Sequence, residues 1–243
     1  MRLGASQLCS GLGGLFWVCL WIATLVGAEV IYVDESALGL SSGDSWDEAY
    51  RSLQDALDRI GRTDAPVEGM EIWVAEGVYY PDEGNGRDND DREATFRLYN
   101  GTTIYGGFGG EETTIEARDP SKYVTVLSGD ITQSNWEENG NVVGEDPEEG
   151  LNSYHVVTAQ NIDESAVLDG VTITGGVADG IGHLEGGGLL VVSGSPTLRN
   201  CIFWGNVAQV RGGGVSLAPG ASTTAISGCR FLSNRAAFGG ALF

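Results

Sequence analysis

One phrase is written three times in this chain: LDGVTITGG at 168–176, LRNCIFWGN at 198–206 and ISGCRFLSN at 226–234. Apolar residues alternate along each copy, the period of a strand with one buried face. Val171 and Ile173, Cys201 and Phe203, and Cys229 and Phe231 take the inward positions. Thr172 and Thr174, Ile202 and Trp204, and Arg230 and Leu232 take the outward ones, the phase being set by Arg230, since an arginine is not buried without a partner. Gly170, Asn200 and Gly228 mark equivalent places 30 and 28 residues apart, a spacing typical of solenoids. A glycine corner followed by a short strand also comes once per period, in EGGGLLV from Glu185, RGGGVSL from Arg211 and FGGALF from Phe238. A period with two short strands, several turns and no helical pattern is one rung of a parallel β-helix, in which like residues stack from rung to rung. Asn206 and Asn234, closing two of the phrases, are expected to form an amide ladder. The segment GTTIYGG at 101–107 reads as a fainter fourth copy, with Ile104 inward and Thr103 and Tyr105 outward.

Composition narrows the function. Acidic residues number 34 against 13 basic ones, for a net charge of −21, so a nucleic-acid phosphate backbone would be repelled. Arg2 followed by an uncharged run to Ala28, with small residues at Val26-Gly27-Ala28, predicts a secretory signal over 1–28 and a mature chain starting at Glu29 without a transmembrane anchor. Cys9 and Cys19 leave with that segment. Cys201 and Cys229 remain, at one inward position on adjacent rungs, and are expected to be stacked free thiols. Before the repeats, 45–61 predicts a helix with Ser45 and Glu48 as a capping box, Trp46, Tyr50, Leu53, Leu57 and Ile60 on one face, and Gly61 as its stop. Such a helix suits the open end of a first rung.

These segments, with IYVDESALGLSSGDSWDEAYRSLQDAL, EIWVAEGVYYPDE, TFRLYNGTTIYGGFGGEE and HVVTA, resemble secreted bacterial right-handed parallel β-helix proteins of the pectin-lyase-like group. The Phe203 to Asn206 and Phe231 to Asn234 pairs and FGGAL are similar to the repeats of chlamydial polymorphic outer membrane proteins, although two of the three corners here read GGG and not GGA. The resemblance implies an all-β, single-stranded right-handed parallel β-helix with an N-terminal capping helix. The expected organisation is a signal over 1–28, a cap and first coil over 29–100, and coils over 101–243, incomplete at the C-terminus and open there to self-association through the last rung. It implies a secreted, extracellular or outer-envelope location.

Chemistry is harder to find. The outward columns are expected to be Thr103, Thr172, Ile202 and Arg230, and beside them Tyr105, Thr174, Trp204 and Leu232; neither holds the paired carboxylates that glycan cleavage uses. His155 and His183 read as structural or solvated, and Asp130 and Asp169 as turn residues. The acidic stretches 82–93 and 137–150 read as solvated loops. Calcium is the one ion their chemistry suits, but Arg87 stands where an EF-hand needs glycine, so no cofactor is expected. The reading is a non-enzymatic surface module with a structural, adhesive or ligand-binding role. Its candidate binding residues are Tyr105, Ile202, Trp204, Arg230 and Leu232, and its partners a polysaccharide or a surface protein. The alternative is a polysaccharide lyase or glycoside hydrolase with its site in 107–168 or in sequence outside this chain.

Overall fold

The inward letters of the repeats build continuous apolar columns, and these columns define the architecture. A computed structural model of the chain describes residues 29–62, 69–133, 151–221 and 224–243. The expected signal at 1–28 and the acidic stretch 137–150 lie outside the described residues. The elements are β1 (Val30–Val33), α1 (Leu53–Gly61), β2 (Met70–Ala75), β3 (Gly77–Tyr79), β4 (Phe96–Arg97), β5 (Thr102–Phe108), β6 (Thr125–Ser128), β7 (Val157–Ala159), β8 (Val167–Asp169), β9 (Val171–Thr174), β10 (Val177–Ala178), β11 (Leu189–Gly194), β12 (Thr197–Arg199), β13 (Ile202–Trp204), β14 (Val207–Ala208), β15 (Val215–Ala221), β16 (Ala225–Ser227) and β17 (Arg230–Leu232). The described chain is therefore all-β, and the paired strands of its sheets are parallel.

Three sheets run along one stack of coils. Sheet A has the order β1-β2-β5-β8-β12-β16, sheet B the order β3-β6-β9-β13-β17 and sheet C the order β4-β7-β11-β15, while β10 and β14 pair separately. Neighbours in each sheet come from successive periods, as a solenoid requires. In sheet A the register aligns Ile31, Ile72, Ile104, Leu168, Leu198 and Ile226. In sheet B it aligns Tyr79, Leu127, Ile173, Phe203 and Phe231, and in sheet C Phe96, Val157, Leu189 and Val215. The columns meet in one core that also takes Leu53, Leu57 and Ile60 from α1. The stacking is direct: the rings of Phe203 and Phe231 lie 5.0 Å apart at 7°.

Each glycine of the repeated corner answers a separate demand. Gly186, Gly212 and Gly239 hold the left-handed backbone at φ of 70°, 56° and 57°. A Cβ on Gly187 would stand 2.3 Å from Val207 O, and one on Gly188 2.5 Å from Gly214 O, so the next two positions are held to glycine by a neighbouring backbone. The expected amide ladder is present. Asn206 Nδ2 donates to Ile173 O at 2.9 Å and Asn234 Nδ2 to Phe203 O at 2.8 Å, the same bond one coil apart. Asn206 Nδ2 also donates to Asn234 Oδ1 at 3.1 Å, and Asn206 Oδ1 accepts from Gly176 N at 3.1 Å.

Two expectations are corrected. The helix begins at Leu53, with Ser52 Oγ accepting from Gln54 N and Asp55 N, and not at Ser45. The Ser45 and Glu48 contact forms, but as a turn, because the chain after it extends to pair with β1: Tyr50 N donates to Tyr32 O at 2.9 Å and Asp34 N to Tyr50 O at 2.8 Å. The segment 101–107 is also no copy of the Val171 and Ile173 strand. It falls in β5, so Ile104 stacks above Leu168 in sheet A while β6 takes the place above β9 in sheet B. Alternation alone cannot assign a short strand to one sheet of a coil that carries several.

Cys201 and Cys229 are free and adjacent by the register of Ile202 with Arg230. Burial pushes the Cys201 thiol up, whereas a hydrogen bond with Cys201 lowers Cys229. Thiol titration of residues 29–243, denatured without reductant, should find two groups, and a maleimide should reach Cys229 before Cys201 in the folded chain. A count of zero would mean that the stacked geometry does not hold the thiols apart from oxidation.

Candidate functional site

Sheet B presents an outward strip. Val78, Val126, Thr172, Ile202 and Arg230 follow one another in register, with Ser128, Thr174, Trp204 and Leu232 beside them. Val78 and Val126 are buried with Tyr80 in a small apolar cluster of their own, so the strip is closed at this end. It opens over the later coils, where Ile202 and Trp204 are half-buried, Arg230 is exposed and Leu232 is 40% exposed. Of the five candidate binding residues, Ile202, Trp204, Arg230 and Leu232 share this strip. Tyr105 does not. It lies on the outward side of sheet A, in register with Trp73 and Asp169.

That side of sheet A is a covered surface. Trp73 stacks on Phe108 at 4.7 Å, Tyr32 meets the edges of Trp46 and Trp73, and Trp46 Nε1 donates to Glu112 O at 2.8 Å, tying the loop after β5 down over the rings. Arg118, on the same loop, reaches Asp169: Nη2 to Oδ1 is 2.8 Å, and both side chains are largely buried. Its guanidinium lies 4.9 Å from the centre of the Tyr105 ring, and Asn200 Nδ2 donates to the same Asp169 oxygen at 3.1 Å. An open groove of about 590 Å³ runs past Glu116, Arg118, Asp119 and Asn200. Asp169 is thus a buried strand residue, not a turn residue, because the loop supplies the charge that lets it be buried. Asp130 is likewise buried, in an isolated bridge with Asn152. An acid engaged by Arg118 and Asn200 is poorly placed to exchange protons with a ligand.

The two histidines, read from the sequence as structural or solvated, touch. His155 is 7% exposed and its Nδ1 donates to Gly186 O at 3.0 Å, leaving Nε2 to accept from His183 Nδ1 at 3.0 Å. His183 Nε2 lies 3.2 Å from Glu93 Oε1, and its ring stacks on Tyr154 at 4.6 Å. Arg92 covers Tyr154 at 4.2 Å and pairs with Asp179 at 2.7 Å. This arrangement fastens the loop before β4 to the turn after β10 across the coil that carries His155. Burial holds His155 down at about 4, so its neutral form is the one the fold accepts. The histidines are 28 residues apart, close to one coil's length, and that spacing is the signal that would have found them.

Among the described residues, no three histidine, cysteine or carboxylate side chains already converge as a metal site, and no helix is long and apolar enough to cross a membrane. No family model, curated protein or solved structure matches the chain.

Proposed function

We propose that this chain is a right-handed parallel β-helix of the pectin-lyase-like type, placed outside the cell or on its envelope, that works by binding a polysaccharide and not by cleaving it. In this reading α1, which packs on β1 and β4, caps the first coil. The observation that carries the proposal is the open end of the sheet B strip. There the register sets half-buried Trp204 beside Leu232, which is 40% exposed, with the exposed Arg230 in the next column, an apolar face for a sugar ring with a charged hydrogen-bond donor next to it. The rival reading, a lyase or hydrolase, would draw on Arg118 and the carboxylate beside it, and that carboxylate is engaged in an ion pair.

A glycan array followed by a reducing-end assay on the bound polysaccharide tests both readings. Binding without new reducing ends is expected, and Trp204→Ala should weaken it by about tenfold or more, as loss of an aromatic anchor does. Accumulating reducing ends would replace the binding module with an enzyme. Binding untouched by Trp204→Ala would remove the strip from the account.

A further inference from the structure

We propose that the loop over 82–93 binds a calcium ion on the carboxylate of Asp82. The sequence reads this loop as solvated, but Asp82 is 4% exposed. One oxygen, Oδ2, accepts from Asp90 N at 2.9 Å; the other, Oδ1, is buried and has no hydrogen-bond partner. Asp82 lines a cavity of about 320 Å³ together with Asp88, Asp91 and Glu93.

A buried carboxylate must find a counter-charge, take up a proton or bind a metal ion. Arg87 and Arg97 line the same cavity but have other partners there, and Arg92 is engaged outside it. Arg87 pairs with Asp58 at 2.6 Å, Arg92 with Asp179, and Arg97 lies over the Tyr99 ring. The cavity lining holds five carboxylates, Asp58, Asp82, Asp88, Asp91 and Glu93, against the guanidiniums of Arg87 and Arg97, and its donors are hard oxygens. Calcium accepts 6 to 8 oxygens from carboxylates, main-chain carbonyls and water in a flexible arrangement, as general chemistry has it. That tolerance matters here, because no three side chains converge and the main chain and water must supply much of the shell. Magnesium, which demands a near-ideal octahedron, suits the loop less.

The experiment titrates calcium into the chelator-treated full chain. It follows thermal unfolding and, separately, terbium emission sensitised by Tyr99, which lines the same cavity. Saturating calcium should raise the unfolding midpoint by roughly 5 to 10 °C, with magnesium doing so only at much higher concentration. Terbium emission should appear and be displaced by calcium. Asp82→Asn should lose both responses while its calcium-free midpoint stays level or rises, since an amide relieves the unpaired buried charge. If the wild-type chain shows neither response, or Asp82→Asn keeps them, Asp82 is simply a protonated acid and the proposal fails. Should Asp82→Asn not fold, Asp91→Asn decides: calcium affinity reduced about tenfold with an unchanged calcium-free midpoint supports the site, and unchanged affinity overturns it.

Discussion

Asn206→Ala should lower the unfolding free energy by on the order of 4 kcal/mol, read from urea denaturation. Asn206 is fully buried, and its amide accepts from the Gly176 N–H and donates to the Ile173 carbonyl in the ladder. Truncation strands the Gly176 N–H, at a cost of about 1 to 3 kcal/mol when left unpaired away from water, and removes the bonds to Ile173 O and Asn234, each worth about 1 kcal/mol. Asn234→Ala should cost less, because Asn234 is only half-buried and water can replace part of what it supplies. A change below about 1 kcal/mol in Asn206→Ala would show that the ladder accompanies the stack without holding it.

The second large effect is one of pH. His155 titrates near 4 in the folded chain against an ordinary 6.5, so the unfolded chain binds more protons between those values. The sign follows: the stability that His155 contributes is present above 6.5 and is lost as pH falls toward 4, by about 3 kcal/mol in all. Glu35, Asp82 and Glu83, each raised chiefly by burial, act oppositely, contributing stability at low pH that is lost as pH rises through their folded values. The comparison with His155→Asn separates the two trends. Urea midpoints for both proteins across pH 4 to 7 should converge on the acid side, the wild type losing about 3 kcal/mol more than the variant. Parallel curves would mean that His155 takes up its proton without leaving its bonds to Gly186 and His183.

The repeats made most of the stack legible in advance. Phe203 and Phe231, Cys201 and Cys229, and Asn206 and Asn234 each meet a copy of themselves one coil away, so a periodicity in one dimension is a contact in three. The strip of Ile202, Trp204, Arg230 and Leu232 was legible for the same reason. Tyr105 falls outside the strip because β5 lies at the edge of the repeating region, where two sheets of a coil offer the same alternation and the choice between them is made by the neighbours β2 and β8. Residues 45–51 do not continue the helix because the helical spacing of Trp46 and Tyr50 competes with an edge of β1 that needs hydrogen bonds, and the edge wins.

By itself, the sequence determined the alternation, the inward columns, the glycine corners and the amide ladder, all features in which each residue's environment is supplied by its own repeat. Tertiary structure alone decided the rest. Arg118 and Asp169 meet across 51 residues with no period to announce it. His155, His183 and Glu93 come together because two loops close over one coil. Asp82 is buried although it stands in the most acidic described loop of the chain. The physical reason is common to all three: a loop has no partner written in its own sequence, so its charges acquire their environments only when it folds back onto a stack that the repeats have already built.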